Sequence, residues 1–159
     1  IHHEINSFLA KVSAKEVSEK TSEQIRGLIG ACNELESIGD IYYNMATQLD
    51  RKSDDKVWFD QKQRDNLMSY FDQLKDGHQE MILNLEKGQV KINLTKAISI
   101  EQGIDDTRDK LRKKHLKSIE KQEYNYKSGL IYNNLFSSIE KIGDYVLSVS
   151  EYVSGENLN

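Results

Sequence analysis

The chain has 159 residues, with 22 lysine and arginine residues against 26 aspartate and glutamate residues, which gives a formal net charge of −4. This length suits one domain with a buried core, and the lack of a basic excess argues against nucleic acid as a partner. The single cysteine, Cys32, excludes an internal disulfide and any zinc site built on several cysteines. The sequence contains no proline, although about eight are expected at average usage, so long uninterrupted helices are predicted.

Apolar residues recur at helical spacing in five segments, and no segment alternates with the period of two that strands require. The first predicted helix covers residues 2–12, and the second is long and runs from a capping box at Ser13 or Thr21 to about Arg51. A third helix follows the turn 53–55 and ends at Lys87. The fourth runs from Asn93 or Thr95 to about Gln122, and the fifth covers residues 126–153. The predicted fold is therefore all-α, an antiparallel up-and-down helical bundle with short connections. The longest uncharged stretch has 12 residues, whereas a membrane span needs about 20 apolar residues, so the chain is not expected to cross a membrane.

Two of the helices carry long apolar stripes that alternate steps of three and four residues, as helix-bundle seams do. The predicted seam of the second helix consists of Ile25, Leu28, Cys32, Leu35, Gly39, Tyr42, Ala46 and Leu49. That of the last helix consists of Tyr132, Leu135, Ile139, Ile142, Val146, Val149 and Val153. Both stripes are expected to face the core.

A short motif occurs twice in the chain, once in each of these two helices. Leu35–Asp40 and Ile139–Asp144 both read as an aliphatic residue followed by Glu-x-Ile-Gly-Asp, and they lie 104 residues apart. In both copies the Glu directly follows a seam position, Leu35 in one and Ile139 in the other. The repetition of the motif indicates an internal helical repeat.

Three pairs of carboxylates are spaced four residues apart, so that each pair shares one face of its helix. The pairs are Glu36 with Asp40, Glu101 with Asp105, and Glu140 with Asp144. Carboxylates beside a seam are costly to bury unless they are protonated, paired with a cation or bound to a metal. Oxygen ligands in this number suit Mg, Mn or Fe. The alternative is salt bridging or a plain surface, because acidic residues are abundant and Arg108 and Arg112 are ready partners.

Residues for catalysis are not visible in the sequence. A ferritin-like di-iron enzyme needs Glu-x-x-His motifs on two helices, and the residue three positions before His115 is Arg112. The chain also has no glycine-rich phosphate loop and no evident nucleophile with a base. It is therefore predicted not to be an enzyme, and a metal-dependent hydrolase has little support.

The repeated motif, in its settings 34–44 and 134–144, resembles the PhoU family, whose tandem three-helix bundles carry a Leu-Glu-Arg-Ile-Gly-Asp-like signature in their third helices. The stretches 112–116 and 127–135 are similar to the PhoU-like C-terminal cytoplasmic domain of bacterial sodium/phosphate cotransporters. The resemblance implies that residues 1–51 are the partial end of a first repeat. It also implies that residues 56–155 are a complete second three-helix repeat, and that both together form one compact helical domain.

The same resemblance implies a non-enzymatic regulatory domain of a sodium-dependent phosphate transporter. Such a domain would be the soluble part of a membrane protein, on the cytoplasmic side of the inner membrane, with the transmembrane part of the transporter as its partner. A homodimer is a further expected form, because the chain has an apolar flank. The alternative is a free-standing PhoU-like adaptor that regulates a phosphate transporter or a sensor kinase in trans.

In some members of the family the acidic motif residues bind multinuclear iron or zinc clusters. The metal ligands that the resemblance implies for this chain are Glu36, Asp40, Glu101, Asp105, Glu140 and Asp144. The expected ion is Fe, Zn, Mn or Mg, and a domain without metal is the alternative. The position after the motif Asp, often His in relatives, is Ile41 in one copy and Tyr145 in the other, so fewer ligands are present.

Overall fold

The computed structural model describes residues 1–87, 92 and 94–155. They form five helices: α1 (His2–Ser13), α2 (Glu19–Asp54), α3 (Gln61–Lys87), α4 (Leu94–Glu120) and α5 (Tyr126–Ser154). These ranges contain no strand, and the predicted all-α fold class is confirmed. No helix within them combines the length and the apolar character needed to cross a membrane. Asn93, one of the two predicted starts of α4, lies outside the described residues.

Two of the predicted helix boundaries are wrong. α2 begins after Ser18, whose hydroxyl oxygen accepts a hydrogen bond from the backbone N–H of Thr21 at 3.2 Å, so neither predicted capping box starts this helix. α2 also continues through the predicted turn at 53–55 as far as Asp54. The true boundary is at Asp60, whose carboxylate accepts from the N–H of Gln63 at 2.6 Å while the Gln63 side chain accepts from the N–H of Asp60 at 3.0 Å. This reciprocal capping satisfies two backbone donors that the start of α3 would otherwise leave unpaired.

α5 is the central helix of the bundle. It packs against α2, α3 and α4, and α3 packs against α4, whereas α1 packs against α2 alone within the described ranges. Because α5 has neighbours on several sides, the six residues of its predicted stripe from Tyr132 to Val149 are all buried, none more than 5% exposed, and that prediction is confirmed. Val153 is partly buried against the same core.

The predicted seam of α2 is wrong for most of its length. The buried apolar residues of this helix are Ile25, Ala31, Ile38 and Met45, whereas the predicted seam residues Leu28, Leu35, Tyr42 and Leu49 are between 38% and 46% exposed. α2 has two adjacent apolar stripes, and α5 covers the one that contains Ile38. The short α1 reaches only the first part of the other, where its Ile5 and Leu9 lie beside Leu28 and Cys32.

α2 and α5 run antiparallel in a register that two contacts define. The ring of Tyr152 lies so close to Gly30 that any side chain at this position would overlap it, and the Lys127 ammonium lies 3.8 Å from an Asp55 carboxylate oxygen. The two contacts are 25 residues apart on each helix, so the helices stay in register along this length. The same register places the two motif copies side by side, with Gly39 level with Gly143.

Candidate functional site

Three carboxylates converge where α4 packs against α5. Glu101 and Asp105, one turn apart on α4, and Asp144 on α5 each offer one oxygen, and these oxygens all lie within 4.8 Å of one another. The two α4 residues are partly buried and Asp144 is exposed. Gly143 allows this approach, because a Cβ atom there would lie only 3.0 Å from the Ile104 side chain of α4. We refer to Glu101, Asp105 and Asp144 as the acidic triad.

The acidic triad is electrostatically unfavourable as it stands. Partial burial raises the pKa of Glu101, and repulsion by Asp105 and Asp144 raises it further. The pKa of Asp144 is raised by the same loss of hydration and then by Asp105, although Arg108 and Lys141 oppose the shift. Like charges held this close are relieved either by a proton or by a bound cation.

Arg108 lies beside the acidic triad and forms ion pairs with the neighbouring carboxylates. Its guanidinium lies 3.2 Å from Glu140, 3.0 Å from Asp109 and 3.9 Å from Asp105. Glu140 is therefore part of an ion-pair network beside the acidic triad and is not one of its members. Burial and the neighbouring Asp144 nevertheless raise the pKa of Glu140 and outweigh the opposite effect of Arg108.

A buried tyrosine fixes the helix that carries two of the three carboxylates. Tyr70 of α3 has no solvent exposure, and its hydroxyl donates a hydrogen bond to the backbone carbonyl of Ile104 at 2.9 Å. Burial raises the pKa of this phenol, and Glu140 raises it further, so the hydroxyl remains protonated and acts as a donor. This bond holds α4 at the level where Glu101 and Asp105 face α5.

The first motif copy lies apart from this cluster. Glu36 accepts a hydrogen bond from the Nδ1 atom of His2 on α1 at 2.7 Å, and Asp40 is exposed. Of the six predicted ligands, the structure thus brings together Glu101, Asp105 and Asp144. It places Glu140 next to them, and it leaves Glu36 and Asp40 on another helix without a facing pair of carboxylates in the described part of the chain.

Replacing Asp144 with asparagine is expected to stabilise the metal-free chain at pH 7, by less than about 1 kcal/mol because the side chain is exposed. A raised carboxyl pKa means that the folded chain binds more protons than the unfolded chain, so stability falls as the pH rises from about 4 through the raised value. Asp144→Asn should therefore also flatten the decline of the unfolding free energy between pH 4 and pH 7. Urea denaturation in the presence of EDTA measures both effects.

Asp40, which corresponds to Asp144 in the first motif copy, provides the matched control for this experiment. Asp40→Asn removes the same charge from the equivalent position of α2, away from the acidic triad, so the repulsion among the three carboxylates and the decline that it causes should remain. Equal slopes for the parent chain and Asp144→Asn would contradict the repulsion within the acidic triad.

A second feature, which the sequence reasoning missed, is a groove of about 890 Å³ between α2 and α5. Its lining combines basic, amide and hydroxyl side chains from both helices with the apolar side chains of Ile41, Leu130 and Ile131. A sequence signal was present, because Lys127, Asn134, Ser138 and Lys141 form a polar stripe at helical spacing along α5. No residue of the acidic triad lines this groove.

Comparison with known proteins gives no family for this chain. No protein-family model matches it, and neither a curated protein nor a solved structure does.

Proposed function

We propose that this chain is a non-enzymatic regulatory domain of a sodium-dependent phosphate transporter, located on the cytoplasmic side of the inner membrane and resembling the PhoU family. In this proposal it receives a signal at the acidic triad and transmits it through the packing of its helices to the transmembrane part of the transporter. The observation that carries the proposal is the arrangement of the two motif copies. They lie on neighbouring antiparallel helices. The glutamate of each copy pairs with a basic residue of a further helix, which is α4 for one copy and α1 for the other.

The equivalence can be followed through the motif glutamates. Glu140 of α5 pairs with Arg108 of the antiparallel α4, and Glu36 of α2 pairs with His2 of the antiparallel α1. The two glutamates are 104 residues apart and their partners 106, so the pair α1–α2 repeats the relation of α4 to α5 to within two residues. A tandem arrangement of this kind supports a PhoU-like bundle with one partial and one complete repeat.

The acidic triad is the proposed cation site within this domain. Three carboxylate oxygens within 4.8 Å match the hard oxygen ligands that Mg²⁺ and Mn²⁺ prefer, and water would complete the coordination because Asp144 is exposed. Iron is also compatible with carboxylate ligands. Zn²⁺ fits less well, because no histidine or cysteine belongs to this cluster of the described chain. A cation here would link α4 to α5 and reduce the repulsion among the carboxylates.

Mn²⁺ binding tests the site directly. The chain is expected to bind one Mn²⁺, with an affinity that falls about ten-fold or more in Asp105→Asn/Asp144→Asn, because two of three charged ligands are lost. The measurement is electron paramagnetic resonance of free Mn²⁺, together with the rise in melting temperature that a ligand of the folded state produces. Glu36→Gln/Asp40→Asn is the control and should bind as the parent does. Undiminished binding by the Asp105/Asp144 variant would exclude the acidic triad as the site.

The regulatory part of the proposal requires the full-length protein. Sodium-driven phosphate uptake and its repression at high phosphate are compared between the parent, Asp105→Asn/Asp144→Asn and the Glu36→Gln/Asp40→Asn control. Altered repression in the first variant alone is expected. Unchanged uptake and unchanged repression would refute the role of the acidic triad. If the gene encodes no membrane spans before Ile1, the same domain would act as a free-standing adaptor in trans.

A further inference from the structure

The groove between α2 and α5 concentrates positive charge in a chain whose net charge is −4. Arg51 and Lys52 from the last turn of α2, together with Lys127 and Lys141 from α5, line it. The one carboxylate in its lining is that of Asp55, which is largely exposed and lies 3.8 Å from Lys127. This excess of positive charge in a concave site favours an anionic ligand.

The positive charge is distributed unevenly along the groove. The antiparallel register places Arg51, Lys52 and Lys127 together at one end, whereas Lys141 lies at the other end, beside Ile41. On the α2 side the lining runs from Ile41 to Asp55, the residue directly after the helix, which corresponds to about 21 Å at 1.5 Å per residue. A ligand that fits this pattern has a compact, highly charged group at one end and a longer polar part.

Hydrogen-bonding groups occupy the middle of the groove. Asn44 of α2 and Asn134, Ser137 and Ser138 of α5 line this section. Gln48 lies among them, and its buried Oε1 atom has no hydrogen-bond partner among the described residues. The amide and hydroxyl groups that line this section can form hydrogen bonds with the polar part of a ligand.

From these observations we propose that the groove binds a ligand with two or more phosphate groups, held by Arg51, Lys52 and Lys127. Arginine and lysine bind phosphate oxygens through charge-assisted hydrogen bonds, and several phosphates in a row match several cations at one end of the groove. Inorganic oligophosphates and nucleoside polyphosphates share this chemistry. The inference does not rest on the proposed function, because the groove and the acidic triad have no residue in common.

Calorimetric titration of the 159-residue chain with sodium tripolyphosphate and, separately, with ATP tests the proposal. EDTA is present in both titrations, so that no cation at the acidic triad contributes. Binding with one site per chain is expected for at least one of the two probes. ATP that binds about ten-fold more tightly than tripolyphosphate would identify the ligand as a nucleotide, whereas equal or weaker ATP binding would identify an inorganic oligophosphate.

Substitutions show whether the binding belongs to the groove. Arg51→Gln/Lys127→Gln is expected to weaken it about 100-fold, with each lost charged contact contributing about a factor of ten. Both side chains are exposed, so the variant should fold, and circular dichroism verifies this. Lys113→Gln/Lys117→Gln removes the same charge from exposed positions of α4 and should change the affinity less than two-fold.

The only tryptophan gives an independent readout at the basic end of the groove. The Lys52 ammonium lies 5.3 Å from the centre of the Trp58 ring, so phosphates that attract this ammonium should change the tryptophan emission when tripolyphosphate is added. The absence of binding by both probes would overturn the proposal. Equal weakening in the α4 control would also overturn it, since the binding would then follow overall charge and not the groove.

Discussion

Replacing Phe136 with alanine is expected to lower the free energy of unfolding by about 3–5 kcal/mol, the largest effect that we predict for a single substitution. The side chain has no solvent exposure. Its ring packs edge to face against Tyr132, with 5.3 Å between the ring centres, and against His115 at 5.8 Å. Truncation would leave a cavity between α4 and α5 that this closely packed ring cluster cannot easily fill. Urea denaturation followed by circular dichroism measures the loss.

Phe8 of α1 provides the matched control, because its ring is 65% exposed. Phe8→Ala is expected to cost less than about 1 kcal/mol, since little buried area is lost. A loss below about 1 kcal/mol for Phe136→Ala as well would contradict the central position of α5. Because α5 contributes both Asp144 and one wall of the groove, a variant destabilised at Phe136 should also bind Mn²⁺ and oligophosphate more weakly at temperatures near its unfolding transition.

Replacing Gly143 with leucine is expected to lower the free energy of unfolding by about 2–3 kcal/mol. A Cβ atom at this position would lie 3.0 Å from Cγ2 and 3.2 Å from Cδ1 of Ile104, which is itself only 2% exposed. The larger side chain would push α4 away from α5 and separate Asp144 from Glu101 and Asp105. Chemical denaturation therefore measures the loss of stability, and Mn²⁺ titration of the folded variant measures the weakened cation site.

Gly39 is the equivalent residue of the first motif copy and is expected to respond in the opposite direction. No described atom, apart from its own helix backbone and chain neighbours, lies within 4 Å of the position that a Cβ would occupy there. Leucine is a better helix former than glycine, so Gly39→Leu should raise stability by about 0.5–1 kcal/mol. Equal effects at Gly39 and Gly143 would contradict the close approach of α4 to α5 as the reason for the second glycine.

The fold class and the stripe of α5 could be predicted from the sequence, whereas the buried face of α2 could not. Around α5, neighbouring helices cover several faces, so its apolar stripe can only be the core. α2 carries two apolar stripes, and either one satisfies the three–four spacing. α5 buries the stripe that contains Ile38, and α1 covers only part of the one that contains Leu35. The spacing within one helix does not specify which stripe meets which partner.

The candidate site, too, could be predicted only in part from the sequence. Spacing alone places Glu101 beside Asp105, and Glu140 beside Asp144, because residues four apart share a helix face. The spacing does not predict that Asp144 lies close to Glu101 and Asp105 whereas Glu140 pairs with Arg108, because these contacts depend on the register between α4 and α5. For the groove, the polar stripe of α5 is visible in the sequence, but its pairing with polar residues of α2 is not, because the two walls come from distant segments of the chain.

By itself, the sequence determined that this protein is helical, that it carries one motif twice, and that carboxylates accompany each copy. These properties follow from local rules of helix periodicity and of proline and glycine usage, which act over a few residues. The tertiary structure alone decided that Glu101, Asp105 and Asp144 meet while Glu36 and Asp40 stay apart. It also decided that basic residues of α2 and α5 share one groove. Packing sets both outcomes, because helix registers depend on how side chains from distant segments fit together.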